Sequence, residues 1–249
     1  MYFCGIFFEP MIDTIKNRIK KIGDGVVFTA NEFEVTVKSP TTVSRVLNDF
    51  VTQGYLCKLS KGRFYKPQIG KFGELPPDDY QIVKDLLSEK GKLIGYITGY
   101  TAFNELGLTT QVPFTLQVGA YDEKKAIKRG AYRISFIKQR NSITKDNIPL
   151  LKLLDCLRFL KIIPDTMPDD ACKRLLYLLS QLDENQTNKI KRLALKYTPQ
   201  TIALLGAMLE TLNPQEDTTA LFKMINPMTS YKLEISIPIL PNQKKWNIR

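Results

Sequence analysis

SPTTVSRVLNDFVTQGYLCKLSKGRFYKP, residues 39–67, packs a helix, a stop and a two-stranded turn into one short stretch. The Ser39 hydroxyl is suited to accept hydrogen bonds from first-turn amides, and Pro40 suits the first helical position, where a missing N–H costs nothing. Val43, Val46, Leu47 and Phe50 fall at i, i+3, i+4 and i+7, a single apolar stripe. Thr41, Thr42, Ser44, Arg45, Asn48 and Thr52 are left facing outward, a polar, donor-rich surface. Gly54 ends the helix, and YLCKL (55–59) and RFYK (63–66) flank Ser60-Lys61-Gly62, two short strands around a turn with a basic tip.

Working outward from that segment, MIDTIKNRIKKIG places Ile12, Ile15, Ile19 and Ile22 on one helix face, so a helix is expected to open at Met11. Thr29-x-x-Glu32 has the form of a capping box for a short second helix, and a turn through 36–38 leads into the third. Helix, short helix, helix and two-stranded wing is the winged-helix order, here over residues 11–67. The ten residues before it, MYFCGIFFEP, are expected to precede the natural start, to form a loose apolar arm or to pack as a short strand on a neighbouring surface. Gly70, Gly73, Pro76 and Pro77 make 67–77 a linker or a rigid strap.

A second domain is expected over 78–249. DDYQIVKDLLSEKG is helical, and Thr98 is placed to cap a helix through Leu106. FTLQVG (114–119) and YRISFIK (132–138) read as paired strands. From Pro149 four helical patterns follow, LLKLLDCLRFLKII, DDACKRLLYLLSQL, NKIKRLALKY and PQTIALLGAMLETL, and the tail TALFKMINPMTSYKLEISIPILPNQKKWNIR ends with an expected strand and a basic, aromatic-containing terminus. The fold class is therefore α+β: an N-terminal winged helix-turn-helix, then a mixed domain with a small β-sheet and a C-terminal helical run.

The chain of 249 residues carries a net charge of +11 and no histidine, so its positive field does not vary near neutral pH. Residues 11–72 hold 11 Lys and Arg against 5 Asp and Glu, which concentrates charge at the N-terminal end and implies an anionic partner. Without histidine, Ser-His-Asp and Cys-His catalysis are excluded. Cys4, Cys57, Cys156 and Cys172 have no metal-ligand spacing, so neither zinc nor any other metal is implied. Asp78-Asp79 and Asp169-Asp170 open helices, where carboxylates meet the helix dipole favourably. GYITG (95–99) lacks the lysine of a phosphate loop, and its glycines are read as letting a strand turn closely into a helix. No cofactor is called for. The first ten residues lack a basic leader or a membrane-spanning length, and a cytoplasmic protein is expected.

In a winged helix the third helix enters the major groove. Thr41, Thr42, Ser44, Arg45 and Asn48 are accordingly the candidate base readers. Lys58, Lys61, Arg63 and Lys66 on the wing suit the phosphate backbone. Two further basic clusters, Lys124, Lys125, Lys128 and Arg129, and Lys189, Lys191, Arg192 and Lys196, are candidate partner surfaces or solvated faces. Trp246, in KKWNIR, stacks on a partner or packs against its own domain.

KGRFYKP (61–67) together with GYITGYTAFNELGLTTQVP (95–113) resembles the AbiEi-type antitoxins of type IV, abortive-infection toxin–antitoxin systems. The shared phrase falls at Gly99, Thr101, Ala102, Gly107, Leu108 and Thr109. More narrowly, the chain resembles AbiEi-like regulators of the Bacteroidetes type that end near NPMTSYKL and LPNQKKWNIR. That resemblance implies an autorepressor binding inverted repeats in its own promoter, as a dimer or cooperatively. It further implies a functional partner, a nucleotidyltransferase-like toxin countered without direct binding, and carries over no catalytic residue. The C-terminal half departs from the better-known antitoxins. The alternatives are a second domain that modifies a toxin or nucleic acid, a plain transcriptional regulator, and a protein-interaction scaffold.

Overall fold

A computed structural model describes residues 8–33, 40–111 and 114–249. The fold is α+β, a winged helix-turn-helix followed by a mixed region with small sheets and a helical C-terminal run. It divides into two compact units. One is the chain to Asp85 with Ile127–Arg133, and the other is Leu86–Ala126 with Ile134–Arg249. Among the described residues no helix is long and apolar enough to cross a membrane.

The first unit opens with α1 (Phe8–Lys21), which starts three residues before Met11, and β1 (Val27–Thr29). A 3-10 turn (Ala30–Phe33) follows, and Glu32 reaches back to accept the Thr29 amide at 2.9 Å, one half of the expected capping box. Ser39 and the 36–38 turn lie outside the described residues. The third helix, α2 (Pro40–Thr52), buries Val43, Val46, Leu47 and Phe50 as its stripe requires. They close over Ile15, Ile19, Phe28, Phe33, Leu56 and Phe64, one apolar core. Gly54 ends the helix at φ 73°, a conformation that costs a side chain dearly, while the Tyr55 amide returns to the Phe50 carbonyl at 2.9 Å.

The wing is β2 (Cys57–Ser60) and β3 (Arg63–Tyr65) around Lys61-Gly62. The strand order is β1-β3-β2, so VFT, just ahead of the short helix, is the third strand of the wing sheet. Residues 67–77 form a hairpin of β4 (Gln68–Gly70) and β5 (Gly73–Leu75) in place of a linker. Gly70 pairs with Gly73 across a two-residue turn, the spacing that makes the hairpin possible. Then α3 (Asp79–Leu87) begins with Asp78 accepting the Gln81 amide at 2.7 Å, the capping role expected of that acidic pair.

In the second unit a small hairpin, β6 (Ser88–Glu89) and β7 (Lys92–Leu93), leads to β8 (Gly95–Thr98) and α4 (Tyr100–Glu105). Thr98 does not cap α4. It is the last residue of β8, fully buried, and its hydroxyl donates to Asp155 at 2.7 Å, while Gly99 flanks the helix. β9 (Thr115–Ala120) lies between β8 and β11 (Tyr132–Lys138), the latter preceded by β10 (Ile127–Arg129) of the first unit. The expected pairing of the FTLQVG and YRISFIK segments is present.

Four helices then follow: α5 (Ile148–Arg158), α6 (Pro168–Ser180), α7 (Glu184–Ala194) and α8 (Pro199–Leu212). α7 begins at Glu184, ahead of its first apolar turn, because Asp183 and Gln186 form a reciprocal capping box. Residues 201–209 of α8 are all buried, which makes it the central helix of this core. After α9 (Thr219–Phe222) the tail makes no strand, only one parallel bridge between Tyr231 and Ile248. Leu233 and Ile235 are buried in strand-like alternation, but Glu234 sits at φ 58° and Pro238 and Pro241 remove ladder donors. Asp169 holds this tail by accepting the Ser236 amide at 2.7 Å.

Trp246 is fully buried against its own unit, with its indole N–H on Glu210 at 3.0 Å and Phe222 at its edge. It occupies the space a side chain at Gly206 would need, since a Cβ there would lie 2.1 Å from the indole ring. Alanine in place of glycine inside a helix ordinarily stabilises by about 0.5–1 kcal/mol. Gly206→Ala is expected to destabilise by about 1–3 kcal/mol instead, through overpacking, which urea unfolding followed by tryptophan fluorescence would measure.

Candidate nucleic-acid interface

The outward face of α2 presents Thr41, Arg45, Asn48 and Thr52 as an exposed stripe, with Thr42 and Ser44 half-buried along its margin. Arg45 is exposed and forms no ion pair among the described residues, so its guanidinium is available to a two-acceptor partner. Asn48 is engaged locally. Its Nδ2 donates to the Ser44 carbonyl at 2.6 Å and its Oδ1 accepts from Lys58 Nζ at 2.8 Å. That bond brings Lys58 of the wing beside the helix face, where it also lies 5.8 Å from the Phe64 ring.

The remaining wing cations differ from one another. Lys61, at the tip, is exposed and without an ion pair among the described residues. Lys66 pairs with Asp24 at 2.7 Å, and Arg63 pairs with Asp85 at 2.7 Å. Asp85 also takes both ends of Arg129, at 2.6 and 2.8 Å, and Arg129 donates further to the Ile82 carbonyl. Arg129 is only 4 % exposed, which removes it from the proposed partner surface. Its charge is spent inside the first unit, because a buried guanidinium must be paired and hydrogen-bonded. β1 is secured from α3, with Gln81 accepting the Val27 amide at 3.2 Å and Lys84 donating to the Val27 carbonyl.

A family model described as a family of unknown function, DUF6088, matches residues 14–187, well over half of the chain. The chain belongs to the DUF6088 family. No curated protein matches it in sequence. Among solved structures it is similar to the RV2827C protein from Mycobacterium tuberculosis, at 10 % identity and a TM-score of 0.62. That alignment covers 94 % of this chain and 89 % of the mycobacterial one, a likeness of fold.

In this DUF6088 chain the other basic residues named from the sequence fall into separate settings. Lys124, Lys125 and Lys128 are exposed, with Lys124 over the Phe136 ring at 5.9 Å. On α7, Lys191 is tied to Glu216 while Arg192 is exposed and Lys189 half-buried, beside a cleft of about 700 Å³. Lys196 lies elsewhere, at a second cleft shared with Lys138, Arg140 and Arg158. Only Lys196 of those four was singled out from the sequence. The available signal is the doublet Lys138 and Arg140 flanking Gln139 at a strand end, with Arg158 closing a mostly apolar helix that also carries Lys152 and Asp155.

Beneath that cleft lies a polar network that sequence reading missed altogether. Asp155 is 1 % exposed, and its Oδ2 accepts from Tyr96 at 2.6 Å and from Thr98 at 2.7 Å. Tyr197 donates to Oδ1 at 3.0 Å, and Gln139 Nε2 donates to both tyrosine hydroxyls at 2.9 and 2.8 Å. Burial raises the Asp155 pKa, with the hydroxyl donors and the Arg158 charge opposing it. Burial also raises both tyrosines, assisted by the Asp155 charge.

Asp85 goes the other way. Burial pushes its carboxyl up, but hydrogen bonds and charge from Arg129 and Arg63 prevail and hold it below its usual 3.8. The unfolded chain therefore takes up the Asp85 proton first as pH falls. The stabilisation is present in full above the ordinary carboxylate value and is lost as pH drops through the folded one. Asp85→Asn is expected to lower stability by about 1–3 kcal/mol at pH 7, by stranding Arg129. The gap from wild type should narrow below about pH 4 in urea titrations, and a gap unchanged at pH 3 would contradict this assignment.

Proposed function

We propose that this protein binds duplex DNA through α2 and the wing and acts as a transcriptional regulator of its own promoter. The observation that carries this reading is the exposed stripe Thr41, Arg45 and Asn48 on the third helix of a winged helix, with Lys58 fastened beside it. Arg45 reads guanine through two acceptors, and Asn48 can exchange its local bonds for an adenine edge. Lys61 contacts phosphate at the wing tip. Arg63 and Lys66 are already neutralised by Asp85 and Asp24, so moving either to a phosphate exchanges one anion for another. A single module covers a short site, and binding to inverted repeats as a homodimer, with half-sites about 10 bp apart or a multiple of that, follows from the geometry of such domains.

The narrower reading, antitoxin of an abortive-infection type IV system acting in the cytoplasm, rests on the resemblance at 61–67 and 95–113. It requires a nucleotidyltransferase-like toxin encoded beside this gene, and growth arrest by that toxin must be relieved when this chain is co-expressed. Persistent arrest would leave a regulator without a toxin.

Fluorescence anisotropy on the protein's own promoter and on random duplex separates the contacts. Arg45→Ala is expected to lose about 5- to 150-fold on the promoter and little on random DNA. Lys61→Ala should weaken both and flatten the salt slope by about one unit, whereas Arg63→Ala flattens it less. Equal loss of both DNAs by Arg45→Ala would remove the base-reading role, and absence of a footprint on the promoter would remove autoregulation.

A further inference from the structure

We infer that the second unit carries a binding site for a nucleoside di- or triphosphate, distinct from the winged helix and independent of DNA recognition. Lys138, Arg140, Arg158 and Lys196 line one cleft of about 490 Å³, with Glu123 the sole carboxylate on its wall. None of the four cations is in an ion pair among the described residues, although ion pairs occupy Lys66, Arg63, Lys152 and Lys191 of the same chain. With Glu123 on the wall and Asp155 buried behind Arg158, the four cations still leave the cleft net positive, a field that favours a multiply charged anion.

The same wall holds Thr198 and Pro199, the start of α8, a helix of 14 residues. Thr198 makes no side-chain cap bond, and the first intrahelical bond is from the Ile202 amide to the Thr198 carbonyl at 3.1 Å. The Gln200 and Thr201 amides precede that bond, so the positive end of the helix adds to the cations. The floor is fixed, because Gln139 and Tyr197 belong to the Asp155 network. Asp155 itself lies behind Arg158 with three hydroxyl donors already on its oxygens.

A second cleft, of about 580 Å³, shares Arg158, Thr198 and Pro199 with the first, and Gln200 and Thr229 also line it. Phe159 and Tyr231 line it together with Asn226. Phosphates in the basic cleft and a nucleoside in its neighbour use both, each being of small-ligand size. The charge calls for more than one phosphate, and a cleft of this size suits a small ligand.

Isothermal titration of the full chain with ATP, GTP and tripolyphosphate, at fixed ionic strength, tests this. At least one nucleotide should bind and raise the melting temperature with concentration. The double variant Arg140→Gln/Arg158→Gln should weaken that binding about 10-fold or more, through loss of charge-assisted hydrogen bonds. Lys196→Gln, at an exposed position, should weaken it less without altering ligand-free stability, which keeps the test valid if the double variant folds poorly. Arg45→Ala should leave nucleotide binding unchanged whether or not it alters DNA binding. No heat and no melting shift with up to millimolar ligand would overturn the proposal, as would binding unaffected by the cleft variants. Equal affinity for tripolyphosphate and both nucleotides would overturn the nucleoside subsite. Loss of random-duplex binding in the cleft variants, with nucleotide binding intact, would assign the cations to DNA instead.

Discussion

A carboxylate with 1 % of its surface exposed has to be satisfied, and the second unit is arranged around doing so for Asp155. An isolated ionised carboxylate in an apolar interior is prohibitively costly. Three hydroxyl donors, from Tyr96 and Thr98 on β8 and from Tyr197 just before α8, give each of its two oxygens a partner. Gln139, at the end of β11, then donates to both tyrosines and accepts the Asn141 amide at 2.8 Å. One side chain of α5 thus fixes the relative positions of a strand, a strand end and a helix start. The close approach is permitted by Gly119, where a Cβ would stand 2.5 Å from the Tyr96 ring. The residues that crown the network, Arg140 beside Gln139, Lys196 beside Tyr197 and Arg158 one turn after Asp155, are the ones that line the basic cleft.

The first unit solves a related problem with the opposite sign. There the buried charge is the guanidinium of Arg129, and Asp85, partly exposed, supplies both oxygens to it while also holding Arg63. Charged donors outweigh desolvation and depress the carboxyl, whereas the neutral hydroxyls around Asp155 leave desolvation dominant. Two aspartates of identical chemistry thereby acquire opposite titration behaviour, according to whether their partners carry charge. For the wing, the consequence is positional. Arg63 is drawn to Asp85 on α3, away from the role of a mobile phosphate contact, and the exposed tip is left to Lys61.

Local periodicity made most of the architecture legible. Val43, Val46, Leu47 and Phe50 had to share a face, Gly54 had to end the helix, and the four C-terminal helices announced themselves by apolar spacing. What escaped was set by partners distant in sequence. Thr98 reads as a cap because threonine before a helical pattern usually is one, and only the fold reveals Asp155 beneath it. Arg129 reads as one of a solvated basic run, and only the proximity of Asp85 shows it to be buried. The YKLEISI tail alternates like a strand, yet Glu234, Pro238 and Pro241 prevent a ladder. The 67–77 hairpin was hidden by its short strands and by the exposed Ile69 and Phe72, which give no buried face to detect.

Charge counting from sequence treats every cation alike, and the pairing pattern separates them. Arg63, Lys66, Arg129 and Lys191 all lie in basic stretches, yet each meets a carboxylate within the fold and contributes little to any external field. Arg45 and Lys61 in the first unit, and Lys138, Arg140, Arg158 and Lys196 in the second, form no ion pair among the described residues, though the Arg158 charge acts on buried Asp155. An unneutralised cation on an open convex helix face is cheap, since water and salt screen it. Four such cations around one concavity add their fields, although Lys138, Arg140 and Lys196 are exposed. The reading of the exposed face of α2 rests on the winged-helix geometry that aims it. The reading of the cleft at the start of α8 rests instead on cations and a helix N-terminus sharing one concavity.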